Sequence, residues 1–422
     1  MDEIKVTIFC LTYNHATYIR DALNGFLNQK TFFKYNVLVF DDASTDGTSE
    51  ILRDYQQRFP EIFNVYISPE NTYGKSQRRI ILNELYERYV LGEYVAWCEG
   101  DDAWSDCNKL QIQVDYMDEH QNCMMTTHAF RRIDYSTRKD LICTFGDRDR
   151  ILSKDEIILQ PQGNLGTASL VMRKSIFLRN DGFPVCDVED YPMQLYAIFH
   201  GYIYYFNREM SLYRYMHDGS WCKQSNDNID RYFYHKVKFV EFLLECDKYS
   251  NQKYTELMWK RIVTYLYDAV ADLCRAKDPK RVIRNIVAKG NRRCNSLIDC
   301  IVPVYEWMSE SYVVDESVRQ YIQGFENVFI MGRGKYSEYI VKGLVRNHID
   351  YHGFMVSKKE NESHDERVWS VADYPYEKEK TLVIVGISQM NERDIVKILK
   401  ESGFKDIWYP LWFTKEAVVY EN

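Results

Sequence analysis

The sequence predicts an α/β fold: a parallel sheet with helices on both faces, then a helical middle region, then a small Rossmann-like α/β layer. Three observations carry this. Short apolar runs alternate with helically spaced apolar residues over the first hundred residues. Strand signals nearly vanish between Arg231 and about Ser309, and return at Asn327. Two early apolar runs end in acids, Asp41-Asp42-Ala43-Ser44-Thr45-Asp46-Gly47-Thr48 and Glu99-Gly100-Asp101-Asp102. In an open α/β sheet those strand exits are where ligands bind.

In chain order, residues 5–11 form a first apolar run, and residues 18–28 set Ile19, Ala22, Leu23, Phe26 and Leu27 at helical spacing. Residues 35–40 read as a buried strand, and the turn Ser44-Thr45-Asp46-Gly47 leads into a helix over 48–59. A strand over 64–68, a helix over 77–89 and a strand over 94–98 complete the regular part. Beyond it, helices are expected over 109–119 and 192–200, with strands over 124–130, 170–173 and 203–206. From Arg231 the apolar spacing is helical, through Phe233, Val237, Val240 and Leu244 and again from Met258 to Leu273. The last unit reads as strands over 328–331, 351–356, 381–385 and 406–409, with helices over 337–346 and 392–402. The boundaries this implies are 1–225, 226–325 and 326–422.

Composition narrows the partners. A net charge of −8 gives no broad basic face, so no nucleic acid partner is expected. Eleven cysteines without a Cys-x-x-Cys pair argue against zinc sites and a secreted disulfide framework. No basic region followed by an apolar stretch opens the chain, and no apolar run nears the roughly 18 residues of a membrane span. A cytoplasmic protein with at most peripheral membrane contact is the expectation. Paired carboxylates at a strand exit are costly unless a cation or hydrogen-bond donor meets them. Hard oxygen ligands there suit Mg²⁺ or Mn²⁺ carrying a diphosphate.

Thr12-Tyr13-Asn14, the Asp41-to-Thr48 string, and Cys98-Glu99-Gly100-Asp101-Asp102-Ala103-Trp104 followed by Lys109-Leu110 occur in that order. Together they resemble the large family of inverting nucleotide-sugar glycosyltransferases with the GT-A fold, over roughly residues 4–222. The resemblance implies a nucleotide-sugar donor, with UDP expected. Asp42 would accept the imide proton of the base, Tyr13 would stack on it, and Thr12, Asn14 and Asp41 would line the same pocket. Asn71, Gly74 and Arg79 resemble the family's Asn-x-Gly…Arg region, with a spacing one residue longer than usual. In the metal motif the first acid is Glu rather than Asp; Asp102 stands as the metal ligand, Asp101 nearer the ribose, and Glu99 in support. His217 would reach the metal or diphosphate. In Glu189-Asp190-Tyr191-Pro192, Asp190 aligns with the family's acceptor-activating base, with Glu189 as the alternative; a helix N-cap is the plain structural reading of both. His128 and residues 163–167 are expected on the acceptor side.

The function so implied is metal-dependent, inverting transfer of a sugar to a glycan, lipid-linked sugar or glycoprotein acceptor, in surface glycan, capsule or glycoprotein assembly. Two other readings stand beside it. A sugar nucleotidyltransferase also needs paired acids, but it requires a glycine-rich basic phosphate loop that Leu11-Thr12-Tyr13-Asn14 lacks. A catalytically inactive carbohydrate-binding or scaffold protein would not need the three acids intact. In the last unit, Gly332-Arg333-Gly334-Lys335-Tyr336-Ser337 looks like a dinucleotide fingerprint with its third glycine replaced. No acid closes the strand ending Met355-Val356-Ser357, where a ribose-binding carboxylate would stand. A structural or oligomerising module, or a degenerate sugar-nucleotide layer, is expected there instead.

Overall fold

The computed structural model describes residues 3–160, 165–179, 181–186, 188–220, 222–224, 228–276, 278–289, 297–298, 301, 316–333, 335–357, 367–385 and 392–408. The chain divides into two compact units, Met1–Trp259 and Lys260–Asn422. The division falls inside the helix Thr255–Arg275.

The first unit is built on a ten-stranded mixed sheet. Its opening half is parallel, as the alternation predicts: β3 (Phe63–Ile67), β2 (Lys34–Asp41), β1 (Ile4–Thr12) and β4 (Tyr94–Trp97) lie side by side. The helices between them are α1 (Ile19–Leu27), α2 (Thr48–Arg58) and α3 (Ser76–Tyr89). Strand β1 is buried on both faces. Val6, Ile8 and Cys10 pack with Ile19, Leu23 and Phe26 of α1 and with Leu110 and Val114 of α4 (Lys109–Glu119). Phe9 faces the other way, its ring 5.2 Å from Tyr86, 5.6 Å from Trp97 and 5.2 Å from Phe177. Burial on both faces is why this strand reads as a continuous apolar run rather than an alternation.

Past Trp97 the sheet turns mixed. A two-residue strand, β5 (Ala103–Trp104), carries the chain out of the acidic turn, and β6 (Cys123–Asp134) follows α4. The hairpin partner β7 (Lys139–Cys143), the short β8 (Arg150–Ile151) and helix α5 (Lys154–Leu159) lie outside the expected elements. Strand β9 (Val171–Arg173) runs antiparallel between β4 and β6, then α6 (Lys174–Leu178) and α7 (Asp190–His200) lead to β10 (Tyr202–Tyr215). The sequence reading stops β10 at Phe206, where Asn207, Arg208 and Glu209 interrupt the apolar run. The strand shifts register there and resumes at Ser211, pairing parallel to β6 and antiparallel to β5. Helix α8 (Ile229–Tyr249) closes this unit's description, with Asn228 capping its first turn.

The second unit holds a five-stranded, all-parallel sheet in the order 368–370, 353–356, 327–331, 381–385, 406–408. Alternation along its central strand feeds two cores. Val328 and Ile330 pack with Ile340 and Leu344 on one face, and Phe329 and Met331 pack with Leu399 on the other. The strand Val368–Ser370 is the one its sequence pattern does not announce. Gly332 ends the central strand at φ 100°, in the left-handed region that favours glycine. Gly334 lies outside the described residues. Among the described residues no helix is long and apolar enough to cross a membrane.

A buried polar thread runs under the first sheet. Lys109 is fully enclosed, donates to Gln113 Oε1 at 2.8 Å and lies 4.3 Å from the Trp104 ring centre. Gln113 in turn donates to Thr126 and to the Ser169 carbonyl. Burial pushes the Lys109 amine down to about 7. Below pH 7 the folded chain therefore carries the full cost of a buried charge; between 7 and 10.5 the unfolded chain alone holds the extra proton, so stability rises with pH. The whole gap corresponds to about 4–5 kcal/mol. Lys109→Met should remove this rise, read as the difference between wild-type and variant unfolding free energies from pH 6 to pH 9. Parallel curves for the two proteins would show that Lys109 does not titrate in the folded state.

Candidate active site

Strand β1 ends between the two acidic strings, and backbone bonds fix all three. Asp42 N–H donates to the Thr12 carbonyl at 3.0 Å on one side, and Gly100 N–H donates to the Leu11 carbonyl at 2.8 Å on the other. Thr12 itself is buried, and its Oγ1 has no hydrogen-bond partner. A Cβ on Gly100 would stand 2.6 Å from that Oγ1 and 2.7 Å from Thr12 Cβ, which explains a glycine inside an acidic string. Gly100→Ala should cost about 1–3 kcal/mol of stability by overpacking and displace the acids that follow; chemical denaturation checks it.

The first string folds back on the loop after β1. Thr45 N–H donates to Asn14 Oδ1 at 2.8 Å, Asn14 N–H to Ser44 Oγ at 2.8 Å, and Ala16 N–H to Asp46 Oδ2 at 2.9 Å. Asn14 takes a positive φ of 55° to do so, a conformation Asn tolerates. Asp41 is fully buried and receives the hydroxyls of Ser44 and Ser49, so its carboxylate holds the turn. Tyr13 is left exposed on the rim. Asp42 accepts from Thr72 N–H at 2.7 Å and Thr72 Oγ1 at 2.6 Å, and its other oxygen meets Arg78 Nη1 at 2.7 Å. Asn71 Nδ2 donates to the Asp42 carbonyl at 3.3 Å. The arginine that pairs with Asp42 is Arg78, the neighbour of the expected nucleotide-side Arg79. Successive helical residues point about 100° apart, so Arg78 turns toward Asp42 while Arg79 is exposed.

The second string is pinned by β10. Pairing of Trp104 with Ser211 and Ala103 with Leu212 brings Arg214 N–H onto Asp102 Oδ1 at 3.0 Å. The Arg214 guanidinium donates to the Asp101 carbonyl at 2.7 Å and to Asp21 Oδ2 at 2.5 Å. His217 faces two groups that only accept, the Asp218 carbonyl at 2.8 Å from Nδ1 and Asp101 Oδ2 at 2.8 Å from Nε2. Burial works against a proton on His217, but the Asp101 carboxylate and the Asp218 carbonyl together hold its imidazole above the ordinary value. His15 Nε2 stands 3.7 Å from the same Asp101 oxygen, with its Nδ1 buried and unpartnered.

Electrostatics link these side chains to the downstream acids. Burial, then the Asp101 charge, pushes the Glu99 carboxyl up to about 8; Arg78 opposes this, while Asp190 and Glu189 add to it. Asp102 is raised well above the usual carboxylate range by burial and by Asp101. Asp101 goes the other way: burial alone would raise it, but His15 and His217 hold it below the usual range. Asp190 opens α7, and burial raises its carboxyl against the opposing pull of its own helix-end N–H groups and of His235. Glu189 occupies the N-cap position but makes no side-chain capping bond.

The donor set is carboxylate oxygen plus one imidazole, and its negative charge is only partly met by Arg214 and His217. That chemistry fits a hard divalent cation. Among the described residues no group of three or more His, Cys, Asp or Glu is already arranged to hold one, and both His217 nitrogens are engaged. His128 is corrected outright: it is fully enclosed, its Nδ1 facing the Ala129 carbonyl, and it does not reach an acceptor surface. Of the expected acceptor residues, 163 and 164 lie outside the described residues, as does Trp221. His15, Thr72, Arg78 and Arg214 were not singled out from sequence. His15 directly follows Thr12-Tyr13-Asn14, Thr72 lies between Asn71 and Gly74, and Arg78 adjoins Arg79, so adjacency to recognised residues could have found these three but not Arg214.

A mixed α/β sheet whose parallel strands run into carboxylate-bearing turns is the architecture of a GT-A-type transferase domain. Residues 7–177 match the family model Glycosyl transferase family 2. An uncharacterized protein of Mycobacterium tuberculosis is 38% identical over 135 residues, covering 32% of this chain and 38% of its own. The putative teichuronic acid biosynthesis glycosyltransferase TuaG of Bacillus subtilis is 34% identical over 114 residues, covering 27% and 42%. The chain thus spans about two fifths of the length of these curated relatives. Among solved structures, Staphylococcus aureus TarS is similar at TM-score 0.47 and 16% identity, over 74% of this chain and 55% of that one.

Proposed function

We propose that the chain transfers a sugar from a nucleoside-diphosphate donor, with UDP as the nucleotide, to a hydroxyl acceptor, inverting the anomeric centre. The observation that carries this reading is the end of β1, where backbone bonds from Asp42 to Thr12 and from Gly100 to Leu11 hold the two acidic strings on either side of one strand exit. The match of residues 7–177 to the Glycosyl transferase family 2 model supports it. A surface-polymer setting is favoured by the relative named for teichuronic acid biosynthesis.

In this reading the base lies between Tyr13 and Asp42, held by Thr72, Asn71 and Arg78, with Thr12 and Asn14 completing the pocket and Asp41 fixing the turn. Asp101 faces the ribose, and Asp102 and Glu99 would hold Mn²⁺ or Mg²⁺, joined by His217 once its Nε2 gives up Asp101. Bound there, a divalent cation would neutralise charge on the departing nucleotide, a contribution of several kcal/mol. Asp190 takes the proton from the acceptor hydroxyl. The acceptor's hydroxyl oxygen, relieved of that proton, then bonds to the anomeric carbon as the bond from that carbon to the diphosphate breaks, so the configuration inverts in one displacement. Glu189 is held as the alternative base. The second unit is read as a Rossmann-like module for assembly between copies, with the chain cytoplasmic and at most peripheral to a membrane.

The test is product analysis. Purified protein with UDP-sugars, Mn²⁺ and a hydroxyl acceptor should give a product of inverted anomeric configuration by NMR, with UDP released. Retention of configuration, or UDP-sugar synthesis from a sugar phosphate, would overturn the reading.

A further inference from the structure

Arg231, in the first turn of α8, is tied to both ends of the crevice. Its N–H donates to Asn228 Oδ1 at 3.1 Å, which fixes its backbone. Its guanidinium carbon lies 5.0 Å from the centre of the exposed Tyr73 ring. Tyr73 directly follows Thr72, whose N–H and hydroxyl bind Asp42, and its own N–H donates to Asn71 Oδ1 at 3.1 Å. The Arg78 guanidinium, paired with Asp42, lies 5.7 Å from the same ring. On its other side, Arg231 Nη1 donates to Gln224 Oε1 at 3.3 Å. Gln224 Nε2 donates to the Gly219 carbonyl at 2.8 Å, and its backbone N–H to the Ser220 carbonyl at 3.0 Å. Ser220 N–H donates to the His217 carbonyl at 3.1 Å, and the His217 ring meets Asp101. One cation is thus held between the Asp42 turn and the turn that carries His217.

The protein itself makes no use of that charge. Among the described residues Arg231 forms no ion pair; its partners are an aromatic face and a neutral amide. A guanidinium stacked on a ring keeps its N–H edge available, and Gln224 takes only one of its donors. The side chain is half-buried, so the remaining donors stay open to a ligand. A donor with its base at Asp42 and its sugar at Asp102 must lay its diphosphate between them. We propose that Arg231 binds that diphosphate through the paired N–H geometry that guanidinium and phosphate share, and that Tyr73 is a positioning residue holding the guanidinium there. Negative charge grows on the diphosphate as its bond to the sugar breaks, and a cation already fixed in place meets it without reorganising. The assignment rests on the transferase reading and deepens it, adding a donor-binding residue from a helix outside every recognised string.

Isothermal titration of the full-length protein with UDP and with uridine, Mn²⁺ present throughout, tests this. Wild type should bind UDP at least tenfold more tightly than uridine. Arg231→Gln should weaken UDP at least tenfold and leave uridine within twofold, and Arg231→Lys, which keeps the charge but not the fork, should lose less. Tyr73→Leu should weaken UDP severalfold, and adding it to Arg231→Gln should weaken UDP little further, because the ring acts through the guanidinium. That variant also serves if Arg231→Gln does not fold: UDP binding as in wild type then overturns the assignment. Unchanged UDP affinity in folded Arg231→Gln, or an equal loss for uridine, overturns it while leaving the transferase reading intact. Wild type that binds no UDP overturns the transferase reading, and this assignment with it.

Discussion

Asp102→Asn should lower the turnover of sugar transfer roughly 10²–10⁴-fold at saturating Mn²⁺, the loss expected when several kcal/mol of charge stabilisation on a leaving diphosphate is removed. The fold should survive, because asparagine keeps the oxygen that accepts the Arg214 N–H. Removing the charge also relieves its repulsion with Asp101 and Glu99, so the variant should unfold at an equal or higher temperature. Steady-state kinetics beside thermal unfolding separates the two effects. Wild-type turnover in Asp102→Asn would remove it from the metal site.

Asp190→Asn should retain UDP-sugar binding and lose transfer by about 10²–10⁴-fold, the usual contribution of a positioned general base. The sign of the pH dependence follows from burial, which raises the carboxyl above its ordinary 3.8. The base works only when ionised, so the rate should fall on acidification, with its midpoint above that ordinary value, and the variant should lose this acid limb. If Asp190→Asn keeps full activity and Glu189→Gln abolishes it, the base is Glu189. If neither matters, both residues only start the helix.

The parts legible in the sequence are those where local pattern and tertiary role coincide. Parallel strands β1, β2 and β4 are buried on both faces, so their apolar runs announce them, and the acids mark where each leaves the core. Asp42 and Gly100 could be placed beside Thr12 because they follow those runs directly. What escaped depends on pairing between distant segments. Nothing local in Ser211 to Tyr215 says that β10 resumes after Glu209, yet that resumption brings Arg214 to Asp102. The choice of Arg78 over Arg79 turns on the rotation of α3, which a weakly amphipathic helix does not reveal. His128 looks like a surface ligand by type, and only the depth of β6 shows it enclosed.

The central claim is that Asp42, Glu99, Asp101 and Asp102 face one crevice that receives a cation-bound nucleotide. Titration of the wild-type protein with UDP, with and without Mn²⁺, tests it most directly. At least tenfold tighter UDP binding in the presence of Mn²⁺, lost in Asp102→Asn, is the predicted result; equal UDP affinity with and without Mn²⁺ would contradict it.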